Sequence, residues 1–188
     1  MEKKLAVFFP GIGYTVDKPL MYFGRKLAAE QGYEIKLLPY SGFPEKIRGN
    51  RDRMKESYQI AAQQTQEMMS DVDPAQYDRI VFVGKSIGTI VAAGLAADPM
   101  YAERTALVLY TPLEETFSFP LRDAVVFTGS ADPWVGGEKS RISALSARKG
   151  IPCFLIDGGN HSLETGDALK DIANLQKIME ETRSFLTS

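Results

Sequence analysis

The sequence contains very few of the residues that build disulfide frameworks and metal sites. Among its 188 residues there is one cysteine, Cys153, and one histidine, His161. A single cysteine excludes an intramolecular disulfide, and one cysteine with one histidine is too few for a structural zinc site. This cysteine usage suits a reducing compartment, so we expect a cytoplasmic protein that needs no metal.

A strong charge of one sign and long hydrophobic runs are missing as well. The formal net charge is −2, which gives no electrostatic footprint for nucleic acid. No apolar stretch approaches the length that spans a bilayer. The first apolar run, residues 5–9, stops at Pro10 and Gly11 without a cleavage-type pair of small residues, so we interpret it as a buried strand and not as a signal peptide. We therefore expect neither a nucleic-acid nor a membrane partner.

The chain also lacks internal repeats, low-complexity segments and linkers rich in glycine or serine. Its length lies in the range of one ordinary domain. Its 44% hydrophobic and 24% charged residues are typical of a globular protein. The sequence therefore predicts a single domain, residues 1–188.

Six short apolar runs alternate with longer segments of helical periodicity. Runs without polar alternation suit strands that are buried on both faces of a parallel sheet. Strands joined through helices make right-handed crossovers, so we predict an α/β fold, a doubly wound three-layer sandwich around a six-stranded, mainly parallel sheet. The predicted strands are residues 5–9, 34–38, 79–83, 106–110, 124–128 and 152–156, and the predicted helices are residues 18–31, 51–69, 87–97, 137–149 and 163–185.

Four of the predicted strands end next to residues that can do chemistry. Ser86 follows the third strand, Asp132 the fifth and His161 the sixth, while a GIG segment at residues 11–13 follows the first. In an open parallel sheet the ligand site lies beyond the carboxyl ends of the strands. We therefore expect these residues to meet at one edge of the sheet.

The serine lies in a G-x-S-x-G segment, residues 84–88. The motif alone is weak, but here a strand pattern leads into it and a compact helix pattern leads out. Flanking glycines let the strand and the helix approach closely while the serine takes a strained turn that exposes its hydroxyl. A serine hydroxyl is a poor nucleophile until a base takes its proton, and His161 is the one imidazole in the chain.

The order Ser, Asp, His and the local motifs resemble those of the α/β-hydrolases, in particular small carboxylesterases grouped with the dienelactone hydrolases. The resemblance covers nearly the whole chain and rests on residues 84–88 (GKSIG), 128–135 (TGSADPWV) and 158–163 (GGNHSL). It implies a minimal form of that fold, without the two leading strands of the family and without a cap, since residues 111–121 are only a loop. The nucleophile position holds serine, so the dienelactone substrate itself is not implied.

By this resemblance, Ser86 is the nucleophile and His161 the general base, whose ordinary pKa suits that role at neutral pH. Asp132 would hold the imidazole tautomer and stabilise the imidazolium. Asp157, four residues before His161, is an alternative acid, although the match at residues 128–135 favours Asp132.

The resemblance also implies two backbone donors for a tetrahedral oxyanion. One is the N–H of Ile87, next to the nucleophile. The other is the N–H of Ile12, because residues 10–14 correspond to the H-G-x-G segment of the family, with Pro10 where a histidine is common. A third glycine is missing at Val16, so these residues do not form a dinucleotide fingerprint, and we expect no cofactor.

The remaining predictions concern residues outside the triad, and those on substrate contacts rest on sequence neighbourhood alone. Cys153 is expected to be a buried apolar residue and not a nucleophile. Glu114 and Glu115 could disfavour acidic acyl groups or simply face water. The residues beside the catalytic positions, which we expect at the rim of the pocket, are Tyr14, Lys85, Leu113 and Trp134.

The sequence therefore predicts a capless serine hydrolase that cleaves a carboxylic ester or thioester of a small substrate through an acyl-enzyme on Ser86. An acyltransferase or a peptidase would use the same triad, because pocket shape selects the acceptor and the leaving group. A catalytically silent binding protein on the same fold is a further alternative. An open sheet edge could pair in a dimer, so both a monomer and a homodimer stay open.

Overall fold

A computed structural model describes residues 2–135 and 141–188 of the protein. Its six strands form one wholly parallel sheet in the order β2-β1-β3-β4-β5-β6, which confirms the predicted doubly wound α/β sandwich. The strands are β1 Lys4–Phe9, β2 Tyr33–Leu37, β3 Arg79–Lys85, β4 Thr105–Tyr110, β5 Ala124–Gly129 and β6 Cys153–Ile156. The helices are α1 Pro19–Glu30, α2 Arg51–Met68, α3 Ile87–Ala96, α4 Arg141–Arg148 and α5 Ala168–Thr187.

Helices cover both faces of the sheet because successive strand residues point to opposite sides. In β1, Leu5, Val7 and Phe9 pack into the core that includes residues of α2, α3 and α4. Ala6 and Phe8, which alternate with them, pack into the core that includes residues of α1 and α5. This double burial explains the uninterrupted apolar runs in the sequence.

The strand order reverses direction at β1. The chain passes from β1 outward to β2 and then returns to β3 on the other side of β1. The loops that leave β1 and β3 therefore diverge and open a crevice at the carboxyl edge of the sheet, where ligands bind in folds of this class.

The last helix begins at Ala168 and not at residue 163, so that boundary was wrong. The side chain of Asp167 caps the helix by accepting hydrogen bonds from the first N–H groups of α5. The Asp171 carboxylate accepts hydrogen bonds from the backbone N–H groups of Thr165 (2.6 Å) and Gly166 (3.3 Å), which hold the preceding residues in a turn. The predicted start of the fourth helix, residues 137–140, lies outside the described residues.

No helix in the described part of the chain combines the length and apolar character needed to cross a membrane.

Candidate active site

Ser86 lies in a sharp turn between β3 and α3. Its backbone has φ 54° and ψ −123°, a conformation that strains any residue with a Cβ atom. The flanking glycines allow this turn to pack. A Cβ on Gly84 would lie 2.8 Å from Cα of Thr89, and one on Gly88 would lie 2.1 Å from the carbonyl oxygen of Phe9. The two glycines of the motif are therefore required, because neighbouring backbone atoms lie too close to residues 84 and 88 for any side chain.

A hydrogen-bonded chain links the three residues predicted as a triad. The Nε2 atom of His161 lies 2.7 Å from Oγ of Ser86, and its Nδ1 atom lies 2.7 Å from Oδ2 of Asp132. An ionised carboxylate can only accept, so Nδ1 carries the proton and Nε2 accepts from the serine hydroxyl. The Asp132 side chain is fully buried, and its other oxygen accepts from the backbone N–H of Trp134 at 2.9 Å.

The loop that carries His161 is fixed against the ends of β4 and β5. A Cβ on Gly129 would lie 2.0 Å from the carbonyl oxygen of Gly159, so the loop touches β5 backbone to backbone. The Thr111 hydroxyl donates to the carbonyl oxygen of His161 at 3.2 Å, and Asn160 caps the turn through its side-chain oxygen. Sequence reasoning missed Thr111 and Asn160, although Thr111 directly follows a strand at the same edge of the sheet.

Asp157, the alternative acid, has a different partner. Its carboxylate accepts a hydrogen bond from the Ser130 hydroxyl at 3.3 Å. The oxygen of Ser130 in turn accepts from the N–H of Gly158 at 2.7 Å. The geometry therefore places Asp132, and not Asp157, at the imidazole of His161.

The environment of His161 favours its neutral form. Burial is the largest cause that lowers the pKa of His161 below 6.5, and the positive charges of Lys85 and Arg48 lower it further. The hydrogen bond and the charge of Asp132 act in the opposite direction. The imidazole is thus neutral at neutral pH and can accept a proton.

The two predicted oxyanion donors are available in this structure. Among residues 2–135 and 141–188, the N–H groups of Ile12 and Ile87 donate to no protein acceptor. The loop that holds Ile12 is closed by reciprocal backbone hydrogen bonds between Gly11 and Tyr14 of 3.1 and 3.3 Å. A Cβ on Gly11 would lie 3.2 Å from Cβ of Ser86, so this loop packs directly against the serine.

The four residues expected at the rim of the pocket lie in different environments. Trp134 is half-buried, and its ring lies tilted by 30° against the His161 ring, with centroids 5.4 Å apart. Tyr14 is buried at the end of the loop after β1. Lys85 and Leu113 are only 1% and 4% exposed, so neither side chain faces bulk solvent, and their contact with a substrate stays a prediction. Leu113 packs into the apolar core beside α3, and the Lys85 side chain turns inward under the loop at Gly11.

Glu114 and Cys153 have partners outside the triad. Glu114 forms an ion pair with Arg141 at 2.9 Å. Cys153 is half-buried, whereas the sequence predicted a buried residue, and its Sγ atom lies 3.5 Å from Oγ of Ser143. No group of three or more His, Cys, Asp or Glu side chains that could hold a metal ion occurs within the described ranges.

Two cavities are lined by residues close in sequence to the triad or to the segment 111–121. One, of about 160 Å³, is mainly apolar and is lined by residues next to the site, including Tyr14, Ser162 and Leu163. The other, of about 600 Å³, opens between α2, α3 and the short 3-10 helix Glu114–Ser118. Its lining includes the apolar side chains of Met54, Tyr58, Ile90 and Phe119 and the charged side chains of Arg51, Asp52, Lys55 and Glu115.

Comparisons with known proteins identify the fold. No protein-family model matches the sequence, and a search of curated proteins found no match. Solved structures do match. A lidless α/β serine hydrolase from Xanthomonas campestris is 14% identical with a TM-score of 0.63, covering 100% of this chain and 84% of that one. An esterase from Pyrococcus furiosus is 12% identical with a TM-score of 0.66, covering 99% and 82%.

A third similar structure is an α/β serine hydrolase homologue from Coxiella burnetii, which is 15% identical with a TM-score of 0.59 and covers 95% of this chain and 84% of that one. At such low identities the likeness shows the fold alone. The chain has the α/β-hydrolase fold, as the motifs in the sequence indicated, whereas the grouping with dienelactone hydrolases stays a prediction.

Proposed function

We propose that this protein is a serine hydrolase that cleaves a carboxylic ester or thioester of a small substrate through an acyl-enzyme on Ser86. The observation that carries the proposal is the continuous hydrogen-bonded chain from Ser86 through His161 to Asp132, with both links 2.7 Å long. All three residues follow strands at the carboxyl edge of the sheet. This arrangement activates a hydroxyl that would otherwise be a weak nucleophile.

In the acylation step, Oγ of Ser86 attacks the acyl carbon while its proton moves to Nε2 of His161. The carbonyl electron pair moves onto oxygen, where the N–H groups of Ile12 and Ile87 can donate to it. Removing one such donor typically raises the barrier by about 3 kcal/mol. When the tetrahedral intermediate collapses, the bond to the leaving alcohol or thiol breaks and His161 returns the proton to the leaving group.

Water then repeats the sequence on the acyl-enzyme. His161 takes a proton from the attacking water, the same two N–H groups hold the second oxyanion, and the carboxylic acid leaves as Ser86 regains its proton. These steps use only groups of this chain and water. Asp132 keeps the imidazole in the required tautomer and stabilises the imidazolium that forms twice in each cycle.

The chain between β4 and β5 supports one class of substrate. Residues 111–121 contain only the short 3-10 helix Glu114–Ser118, so no cap inserted there covers the triad. A site without a cap at that position suits acyl groups that are small or that protrude from a larger molecule. A clear preference for long acyl chains in a chain-length series of esters would contradict this. We propose the cytoplasm as the compartment, on the basis of the cysteine usage.

Covalent labelling with a fluorophosphonate probe tests the proposal without a known substrate. Wild type, Ser86→Ala, His161→Ala and the matched control Ser130→Ala would be read by intact mass and peptide mapping. Ser130 follows β5 at the same edge of the sheet but bonds Asp157 and not the imidazole. One adduct on Ser86, kept in Ser130→Ala and absent from the other two variants, is the expected result.

The outcomes separate the alternatives. Labelling of Ser86 followed by turnover of esters or thioesters in water supports hydrolysis. Labelling of Ser86 with turnover only when an alcohol or amine acceptor is added would indicate an acyltransferase instead. Labelling with turnover of peptides only would indicate a peptidase. A folded wild type that takes no adduct would overturn the proposal in favour of a silent binding protein.

A further inference from the structure

Lys85 is a buried lysine next to the proposed nucleophile. It is the last residue of β3, it precedes Ser86 and it is 1% exposed. Its Nζ atom lies 4.9 Å from the centroid of the Tyr14 ring. Its Cγ atom lies 3.5 Å from the position that a Cβ on Gly11 would take. The side chain therefore runs beneath the loop that carries the proposed oxyanion donor Ile12.

No carboxylate in the described ranges forms an ion pair with Lys85. Ammonium groups are almost never fully buried unless they are paired, and burying one without a partner is unfavourable. A buried lysine without an ion-pair partner therefore requires an explanation, and the side chains that pack around Lys85 provide one.

The groups that surround Lys85 come from four elements. Tyr14 lies in the loop after β1, Tyr110 is the register partner of Lys85 on β4, and Asp132 and His161 follow β5 and β6. Burial raises the pKa of Tyr14 to about 12 and raises that of Tyr110 as well, so both stay neutral. The charges that act together with that of Lys85 are therefore those of Asp132 and of protonated His161.

Two further charges act on neighbours of Lys85. Arg48, in the loop between β2 and α2, also disfavours a proton on His161. Glu164, in the turn after His161, acts on Tyr14. Neither replaces Lys85, because Arg48 is exposed to solvent and solvent screens exposed charges more than buried ones.

We propose that Lys85 is a positioning residue of the triad: its ammonium group, held over the Tyr14 ring, attracts the Asp132 carboxylate and opposes protonation of His161. The inference rests on the proposed function, since a neutral His161 matters only if it acts as a base. This role depends on the positive charge of the side chain at residue 85 and not only on its volume.

The protonation behaviour of Lys85 agrees with this role. Burial lowers its pKa to about 7, against a smaller opposing effect of Asp132. Lys85 is therefore mostly charged below about pH 7, which is the range in which an ordinary histidine would take a proton. The positive charge is present where His161 most needs it to stay neutral.

Because His161 is the one histidine of the chain, its ring C–H signal can be titrated by NMR without assignment and without any substrate. The variants are Lys85→Met and Lys85→Gln, with Lys26→Met as the matched control, since Lys26 lies over the Tyr22 ring on the surface, 5.4 Å from its centroid. We expect the His161 midpoint to move to higher pH in both Lys85 variants and to stay unchanged in the control. An unchanged midpoint in folded Lys85→Met would overturn the proposal.

If the Lys85 variants do not fold, wild type still gives the answer. The lysine Cε–H signal that lies over the Tyr14 ring should titrate far below the other lysines, and the His161 signal should show a second inflection at the same pH. Separate, uncoupled titrations would overturn the proposal.

The rate of fluorophosphonate labelling provides the second readout. Each unit by which the His161 pKa rises lowers the rate at acid pH about tenfold, so the folded Lys85 variants should lose labelling mainly below about pH 6. A shifted His161 midpoint in a protein that never labels would refute the proposed hydrolase and leave the effect of Lys85 intact. Labelling with no shift would refute only the role of Lys85.

Discussion

The carbonyl oxygen of Phe9 lies 2.1 Å from the position that a Cβ atom on Gly88 would occupy. The last residue of β1 thus touches the first turn of α3 backbone to backbone, and this contact sets the loop with Ile12 against Ser86. A methyl group at residue 88 would force the two elements apart. We expect Gly88→Ala to lower the free energy of unfolding by more than about 2 kcal/mol, measured by chemical denaturation, and to abolish labelling of Ser86.

The same helix offers a matched control. A Cβ on Gly94 would meet the Phe119 ring at 3.5 Å, an ordinary van der Waals distance. Alanine is favoured over glycine inside a helix by about 1 kcal/mol, so Gly94→Ala should keep or increase stability and keep labelling. Similar losses in both variants would mean that α3 tolerates no added methyl group and that the contact at Phe9 has no special role.

The backbone of Ser86 provides a second prediction. Its φ of 54° and ψ of −123° suit glycine, so a residue with a Cβ atom is strained there by about 1–3 kcal/mol. Ser86→Gly and Ser86→Ala both remove the nucleophile, but only the first relieves the strain. We expect the glycine variant to be more stable than the alanine variant by about 1 kcal/mol in urea denaturation. The reverse order would show that the turn is not strained.

The two aspartates near His161 should differ sharply in their effect on rate. Asp132→Asn leaves the geometry but favours the wrong imidazole tautomer, which we expect to lower the labelling rate by about 10³- to 10⁴-fold. Asp157→Asn removes a hydrogen bond from Ser130 and should change the rate less than about threefold. Equal losses in the two variants would contradict the assignment of Asp132.

The sequence predicted the sheet well because buried parallel strands leave a simple pattern. All six apolar runs match observed strands to within two residues at each end. The start of α5 was placed too early because Leu163 is apolar and residues 163–167 (LETGD) contain no proline, whereas the turn depends on the Asp171 carboxylate, which accepts a hydrogen bond from the N–H of Thr165. Such a contact is tertiary information that periodicity does not contain.

The site was predictable to the extent that its residues follow strand ends. Ser86, Asp132 and His161 have that signal, and the structure brings them together. Lys85 also lies at a strand end, but its side chain is buried. As the last side chain of β3, it turns under the Gly11 loop and does not face solvent. General burial preferences place lysine outside, so only the packing of Gly11 and Tyr14 around it shows otherwise.

The acid limb of the pH profile follows from the environment of His161. Since burial and the nearby positive charges hold its pKa below 6.5, the base remains available at lower pH than an ordinary histidine would. The labelling rate at Ser86 should fall as the pH decreases, with a midpoint below pH 6.5. A midpoint at or above that value would mean that the influence of Asp132 prevails over burial.

Lys85 should also leave a signature in stability. Its pKa is about 7 in the folded protein against 10.5 when exposed, so between these values the unfolded chain binds a proton that the folded chain does not. The free energy of unfolding must therefore rise with pH in this window, by about 2 kcal/mol from pH 7 to pH 9.

Other shifted groups contribute little in that range. The lowered pKa of His161 acts only below its ordinary value of 6.5, and the raised pKa values of buried tyrosines act above about 10. Urea denaturation at several pH values should therefore show the rise in wild type and in Lys26→Met but not in Lys85→Met. If Lys85→Met keeps the full rise, the lysine is charged in the folded protein at pH 9 and its ammonium is stabilised by contacts stronger than its burial.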